Sequence, residues 1–401
     1  MSNPHESQCK LCQVGVGMEE GRTHVAVADE YGVSEASVRR HRNYLRAANE
    51  VDEAPVPQGA VPSADHVLAP YGLSHADMRV RGATVRDEVT GSWVRLVAKE
   101  EDEAQELLEQ FDGLEVLNSF KRPEVCNRGT GESAFVVNIN DWQAGKEEGG
   151  GTPALIERVQ QSVANAIVRI NELRMIGRDL GTLVIIGGGD IIEGCSIYPN
   201  QSYSIDRNHS EQIFEAYRLI LWVIDQLAPM FEEVIVLATK GNHGENRIKG
   251  QKTTPRDNYD TMIFRQVQVA TERDERLSHV RYVICEPDME YVYTEVCGWV
   301  LGTTHGDVFG KFVPGQTKML KAWEWWKRVA TGRQRVHMDV LVTHHFHHEE
   351  KADWGGALWV QTRAQDGGSA YFEQFSGQYS EPGMLSFVMT PDNRYQDEAY
   401  L

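Results

Sequence analysis

Five apolar runs in this 401-residue chain end in side chains of the types that bind metal ions. "NINDWQ" ends in Asp141 and Gln143, "VIIGGGD" in Asp190, and "VLATKGNH" in Asn242 and His243. "VLGTTH" ends in His305, and "VLVTHHFHH" closes on His344, His345, His347 and His348. Each offers an oxygen or an imidazole nitrogen, the donors that hold divalent cations. One such ending carries little weight. An aspartate after a strand is often a helix cap, and a lone histidine is usually satisfied by its neighbours. Five in succession point to metal-assisted chemistry. Alternate residues of a strand point the same way, which suits both the D-x-Q and the H-x-H spacing, with Phe346 facing the core between His345 and His347.

The elements that must position these groups follow from the pattern around them. From about residue 133, apolar strands alternate with amphipathic helices: "AFVVNIN", a helix from Pro153, "TLVIIGGGD", a helix through "FEAYRLILWVIDQL", then "EVIVLAT". The later part is richer in strands ("YVYTEV", "WVLGTTH", "DVLVTHH", "MLSFVMT"). The expected fold is α/β, with two packed sheets and helices outside. Loops at strand ends are where such sheets place their sites. Thr152 is expected to cap the helix that starts at Pro153. The glycine runs "KEEGGGTP" and "IIGGGD" lack the G-K-[ST] ending of a phosphate loop.

Order and spacing of these motifs resemble the calcineurin-like metallophosphoesterase superfamily over roughly residues 133 to 350. Its D-x-H, G-D-x-x-D/E/N, G-N-H-D/E, lone H and G-H-x-H appear here as D-W-Q at 141–143, G-D-I-I-E at 189–193, G-N-H-G-E at 241–245, T-H-G at 304–306 and H-H-F-H at 344–347. Three positions depart from the pattern: Gln143 for a histidine, Gly244 for an acid and His344 for a glycine. The resemblance implies a two-sheet β-sandwich flanked by helices and two divalent ions. Asp141, Asp190 and His347 would hold the first, with Gln143 in the place of the imidazole. Asp190, Asn242, His305 and His345 would hold the second, with Asp190 bridging. Two close cations need a shared carboxylate to offset their repulsion, and the pair would then trap one hydroxide as nucleophile for in-line displacement at phosphorus. His243, next to a ligand, would stabilise the transition state or protonate the leaving oxygen. A carboxamide at 143 is a neutral oxygen ligand and favours Mn²⁺ over Zn²⁺, with Mg²⁺ and Fe²⁺ as further candidates. It could also leave the first ion loosely held, or bond a water instead.

Ahead of this region, residues 1–48 read as a helix-turn-helix unit. "THVAVADEYGVSEASVRRHRNYL" holds two helical patterns around Gly32, with Ser34 placed to cap the second and Ala28 and Val38 placed for a close crossing. Arg39, Arg40, Arg42 and Arg46 would face DNA, with no acid between 39 and 46. Cys9 and Cys12 form a C-x-x-C that could supply half of a structural zinc site, with His24 and His41 as candidate partners; the alternative is a pair of unpaired thiols. Residues 49–70 carry four prolines and read as a linker. Residues 71–130 read as a small α+β connector with a hairpin turn at Thr90–Gly91, and 131–401 as the catalytic domain.

The formal charge of −19 argues against a surface that grips nucleic acid everywhere. DNA contact would be local, through the N-terminal arginines and a groove near the site lined by Lys240, Arg247, Lys249, Lys252 and Arg256. No membrane span and no secretory leader is visible, so a cytoplasmic protein is expected, able to form homo-oligomers. A DNA phosphodiesterase similar to the phage and bacterial repair-exonuclease branch is the favoured activity. The alternatives are a phosphomonoesterase and a DNA-binding protein whose catalytic site has decayed.

Overall fold

The structure is a computed structural model that describes residues 27, 30, 33, 38, 83–86, 93–96, 112–121, 128–248, 250–310, 317–368, 373–374 and 379–401. The chain divides into two compact units, Met1–Glu100 and Glu101–Leu401. In the first, Val27, Glu30 and Val38 are helical while Val33 between them is not, and Val27 and Val38 are buried. Strands β1 (Ala83–Arg86) and β2 (Trp93–Leu96) pair antiparallel, with Arg86 opposite Trp93. The expected zinc ligands Cys9 and Cys12 and the arginines Arg39, Arg40, Arg42 and Arg46 lie outside the described residues.

The larger unit is built on two sheets. The first has six strands in the order β15 (Asn393–Tyr400), β14 (Leu385–Thr390), β3 (Ser133–Ile139), β4 (Leu180–Gly187), β5 (Glu233–Ala238) and β8 (Val280–Ile284). Its β3, β4, β5 and β8 are parallel. The second has five, in the order β12 (Glu350–Asp353), β13 (Leu358–Gln361), β11 (Val340–Thr343), β10 (Trp299–Thr304) and β9 (Val292–Val296), with β10, β11 and β13 parallel. A two-stranded ribbon, β6 (Arg247–Ile248) and β7 (Gln251–Lys252), stands apart.

Nearly continuous apolar strands signal burial on both faces, and the packing bears this out. Ala134, Val136, Val184, Ile186, Ile235 and Leu237 face Val292, Leu301, Val340, Val342 and Val360 across the sandwich. Their neighbours Phe135, Val137, Leu183, Ile185, Val234 and Val236 point the other way, into a helical layer. That layer holds α1 (Gly113–Ser119), α2 (Gly151–Met175), α3 (His209–Leu227) and α4 (Tyr259–Glu272). Helix α2 contributes Leu155, Val159, Val163, Ala166, Ile170 and Leu173, a stripe at helical spacing. On the far side, α5 (Lys318–Thr331) lays Ala322, Trp325 and Trp326 against Met338, Leu341 and Trp359. The result is the expected two-sheet sandwich flanked by helices.

Helix α1, ahead of residue 131, buries Val116 and Leu117 in the same core as α3 and α4. One detail differs from expectation. Thr152 lies inside α2 rather than capping it. Asp206 supplies the cap instead: its Oδ2 accepts from the Thr152 N–H at 2.7 Å, and the Thr152 hydroxyl donates to its Oδ1 at 2.7 Å.

Candidate metal centre

Parallel strands β3, β4 and β5 send their C-terminal ends to one edge of the first sheet, and β10 and β11 do the same in the second. The expected ligands sit just beyond those ends rather than on the strands. Asp141 is two residues past β3, Asp190 three past β4, and His345 two past β11. Pleat alternation therefore does not aim them, contrary to the strand-end reading of D-x-Q and H-x-H. Turns in the left-handed region do: Asp141 (φ 47), Gln143 (φ 45), Asp190 (φ 50), His345 (φ 75) and His347 (φ 58). Among the described non-glycine residues with positive φ, these are five of nine. L-residues avoid this conformation, so its concentration here marks local backbone strain.

Asp190, His305 and His345 bring ligand atoms within 4.8 Å of one another. The Nδ1 of His305 lies 2.8 Å from the Gly188 carbonyl and so carries a proton. Its Nε2 then faces Asp190 Oδ2 at 3.0 Å and Asn242 Oδ1 at 3.3 Å. Two oxygens converge on that nitrogen in a site that is almost fully buried, an arrangement that demands positive charge between them. Burial opposes a charge on His305, yet Asp190 outweighs it and holds the imidazole pKa well above its ordinary value. Burial and the neighbouring His305 instead push His345 down to about 4, leaving a neutral ring suited to ligation. The donor set of Asp190, Asn242, His305 and His345 fits one divalent ion.

The other expected half centres on Asp141, which is fully buried. Its Oδ2 accepts from the Asn140 side chain at 2.8 Å and from the His345 N–H at 3.2 Å. Its Oδ1 has no hydrogen-bond partner and lies 3.4 Å from His347 Nε2. That orphaned oxygen beside an imidazole also fits a cation. Between Asp141 and Gln143, the Trp142 ring is buried and tied to Gln365 Oε1 at 2.7 Å, which pins the turn.

His243 stands beside the cluster. Its N–H donates to Asp190 Oδ1 at 2.7 Å. Its ring Nδ1 lies 2.8 Å from the Glu193 carbonyl and 3.2 Å from Glu193 Oε2. Glu193 is buried and held in turn by Tyr198 and Gln201, each at 2.8 Å from its Oε1. Burial lowers the pKa of His243, but Asp190 and the bonded, charged Glu193 outweigh it and raise it to about 9. Glu193 was not singled out from sequence, although its place in G-D-I-I-E offered the signal.

Asp260, in the first turn of α4, was missed as well. Its carboxylate accepts from the N–H groups of Asp190 (3.1 Å), Ile191 (3.0 Å) and Gly241 (2.8 Å). A Cβ on Gly244 would lie 2.5 Å from Asp260 Oδ2. The space next to Gly244 is therefore filled by an acid sixteen residues later. Burial and the charge of Asp190 raise its pKa to about 6 against the pull of those donors.

His344 is a core residue, fully buried between the Thr303 hydroxyl (3.0 Å) and the Thr362 hydroxyl (2.9 Å). Burial lowers its pKa to about 3. His348 is half-buried against the Phe346 carbonyl. Phe346 does not sit in the inter-sheet core but packs at the α5 cluster under Lys318. Of the expected basic groove, Lys240 pairs with Glu290, and Arg247 and Lys252 pair with Glu245, so their charge is largely neutralised. Arg256 instead lines a cavity of about 540 Å³ on the outer side of α4 with Tyr217, Arg265 and Arg273, and no residue of the centre lines it. Lys249 lies outside the described residues.

No family model matches the chain, and no curated protein matches it. Among solved structures it is similar to an archaeal phosphodiesterase at 12% identity and TM-score 0.31, over 67% of this chain and 99% of that one. It is similar to Vacuolar Protein Sorting 29 from Cryptosporidium parvum at 14% identity and TM-score 0.30, over 68% and 98%. It is also similar to a phosphopantetheinyl hydrolase from Mycobacterium tuberculosis at 12% identity and TM-score 0.28, over 63% and 95%. Among the described residues, no helix is long and apolar enough to cross a membrane.

Proposed function

We infer that the larger unit is a metal-dependent phosphoester hydrolase of the metallophosphoesterase kind, and that its substrate is a DNA phosphodiester. One observation carries the hydrolase reading: buried oxygens and imidazoles from four strand ends converge where positive charge is required, beside a histidine held by a buried carboxylate.

Divalent ions bound there, Mn²⁺ above the others, would supply Lewis-acid polarisation of the phosphoryl group and an activated water. The chain's residues do the rest. Asp190 is fixed from both sides, by His305 at one oxygen and the His243 N–H at the other. Glu193 occupies Nδ1 of His243, so Nε2 is the nitrogen available to protonate the leaving oxygen. The buried Glu193 carboxylate beside Nδ1 favours the protonated ring. The sequence supports DNA as substrate through Arg39, Arg40, Arg42 and Arg46 in a helix-turn-helix pattern.

Hydrolysis of bis-p-nitrophenyl phosphate, p-nitrophenyl phosphate and labelled single- and double-stranded DNA, each with Mn²⁺, tests the reading. Cleavage of the diester and of DNA is expected, with both abolished by Asp190→Asn. Preference for the monoester would make the chain a phosphomonoesterase, and inactivity on all four would leave a decayed site. Reloading metal-stripped protein with each ion tests metal choice. Highest activity with Zn²⁺ would count against Mn²⁺.

A further inference from the structure

The half-centre built on Asp141, Gln143 and His347 already contains a cation of the chain's own. Lys146 Nζ donates to Gln143 Oε1 at 3.2 Å and to Asp366 Oδ2 at 2.5 Å. Both side chains are sheltered, at 13% and 4% exposure. Asp366 is anchored to the same turn, since its N–H donates to the Asp141 carbonyl at 3.0 Å. Its Oδ1 lies 3.5 Å from His347 Nδ1, the nitrogen that faces away from Asp141. The oxygen with which Gln143 would serve a metal thus already holds an ammonium. The carboxylate behind His347 is shared with that same ammonium. The other half has no such group: among the described residues, no lysine or arginine is seen bonded to Asp190, His305 or His345.

We propose that Lys146 makes the two halves unequal. The Asp190–Asn242–His305–His345 half takes its divalent ion first and tightly, and the Asp141–Gln143–His347 half takes the second weakly, with Lys146 setting the gap. The proposal rests on the metal-centre reading above. Its physical basis is threefold. Like charges repel strongly in a site shielded from water. A carboxamide brings no negative charge to offset that repulsion. Asp366 spends on Lys146 part of the charge that would make His347 a better donor.

A tie that merely braces the turn makes a different forecast, so charge-changing variants separate the two. If Lys146 only holds Gln143 and Asp366 together, Lys146→Met and Asp366→Asn each loosen the turn and weaken the second ion. If Lys146 acts through its charge, the two variants move in opposite directions. The experiment is calorimetric titration of the metal-stripped full-length protein with Mn²⁺, with bound metal counted after gel filtration. The native chain is expected to show two steps and to retain one ion through the column. Lys146→Met should tighten the second step by about 10- to 100-fold, the range commanded by groups behind metal ligands, and Asp366→Asn should weaken it by a similar factor. Lys146→Arg, which keeps the charge, should leave the gap in place. Two equal steps in the native chain, or weakening by both Lys146→Met and Asp366→Asn, would overturn the proposal. Absence of any Mn²⁺ binding would overturn the metal-centre reading itself.

Discussion

His243 is the proposed proton donor, and its environment is the one to weigh against that role. A proton donor to a leaving oxygen must hold its proton at working pH yet stay close enough to the phosphoryl group to give it up. Asp190 and Glu193 together meet the first need, raising the ring's pKa against the pull of burial. In the metal-free protein, the NMR-monitored titration of the His243 ring is expected to have its midpoint at about 9. Glu193→Gln should bring it down towards the ordinary imidazole range. The sign for stability follows from a folded-state pKa raised above the unfolded one. The charged ring contributes its full stabilisation below about 6.5, and the contribution is lost as pH rises through about 9. His243→Ala should lower turnover of DNA by about 10²- to 10⁴-fold while leaving Mn²⁺ binding unchanged. Loss of metal binding in that variant would place His243 among the ligands instead.

At the scale of elements, the loops are held by backbone capping as much as by side-chain contact. Asp260 opens α4 and, from there, gathers three N–H groups of the β4 and β5 loops. Removing a carboxylate that satisfies buried donors leaves each unpaired, at about 1–3 kcal/mol apiece. Asp260→Ala should therefore destabilise the fold by on the order of 3 kcal/mol or more, read as a drop in thermal midpoint. Because Gly244 faces the same space, Gly244→Asp alone should also destabilise, by collision with Asp260. Combining the two should recover part of the loss. A double variant no better than Asp260→Ala would show that the two positions do not share one role. The same pair shows what sequence can and cannot reveal. Gly244 was visible as a departure from G-N-H-D/E, but its replacement sits at the start of another helix, where an acid looks like an ordinary dipole partner. Asp366 hides in "RAQDGG", which reads as a turn, and its link to Lys146 spans 220 residues. Asp190, Asn242, His305 and His345 were legible because each ends an apolar strand, and parallel strands bring their ends together. The left-handed turns that aim five of the expected ligands leave no mark in residue type beyond a tolerance for Asp.

For the whole molecule the question is how so acidic a chain would find DNA. With a formal charge of −19, the long-range field repels a polyanion, so affinity must come from a few concentrated contacts. In the larger unit, Lys240, Arg247 and Lys252 are committed to Glu290 and Glu245. In the sequence, Arg39, Arg40, Arg42 and Arg46 form the densest basic run without acids between. A binding unit joined by a proline-bearing stretch raises the local concentration of its substrate at the centre without altering the chemistry. Deleting residues 1–48 should therefore cut DNA cleavage about tenfold or more at limiting DNA. Hydrolysis of bis-p-nitrophenyl phosphate, which needs only the centre, should be unaffected. The salt dependence gives the sharper reading. Each phosphate neutralised by an arginine adds about 0.9 to the slope of log affinity against log salt, so losing four contacts should flatten that slope by about 3 to 4. An unchanged slope, or an equal loss on DNA and on the small diester, would mean that the N-terminal unit does not deliver the substrate and that DNA is engaged, if at all, by the larger unit alone.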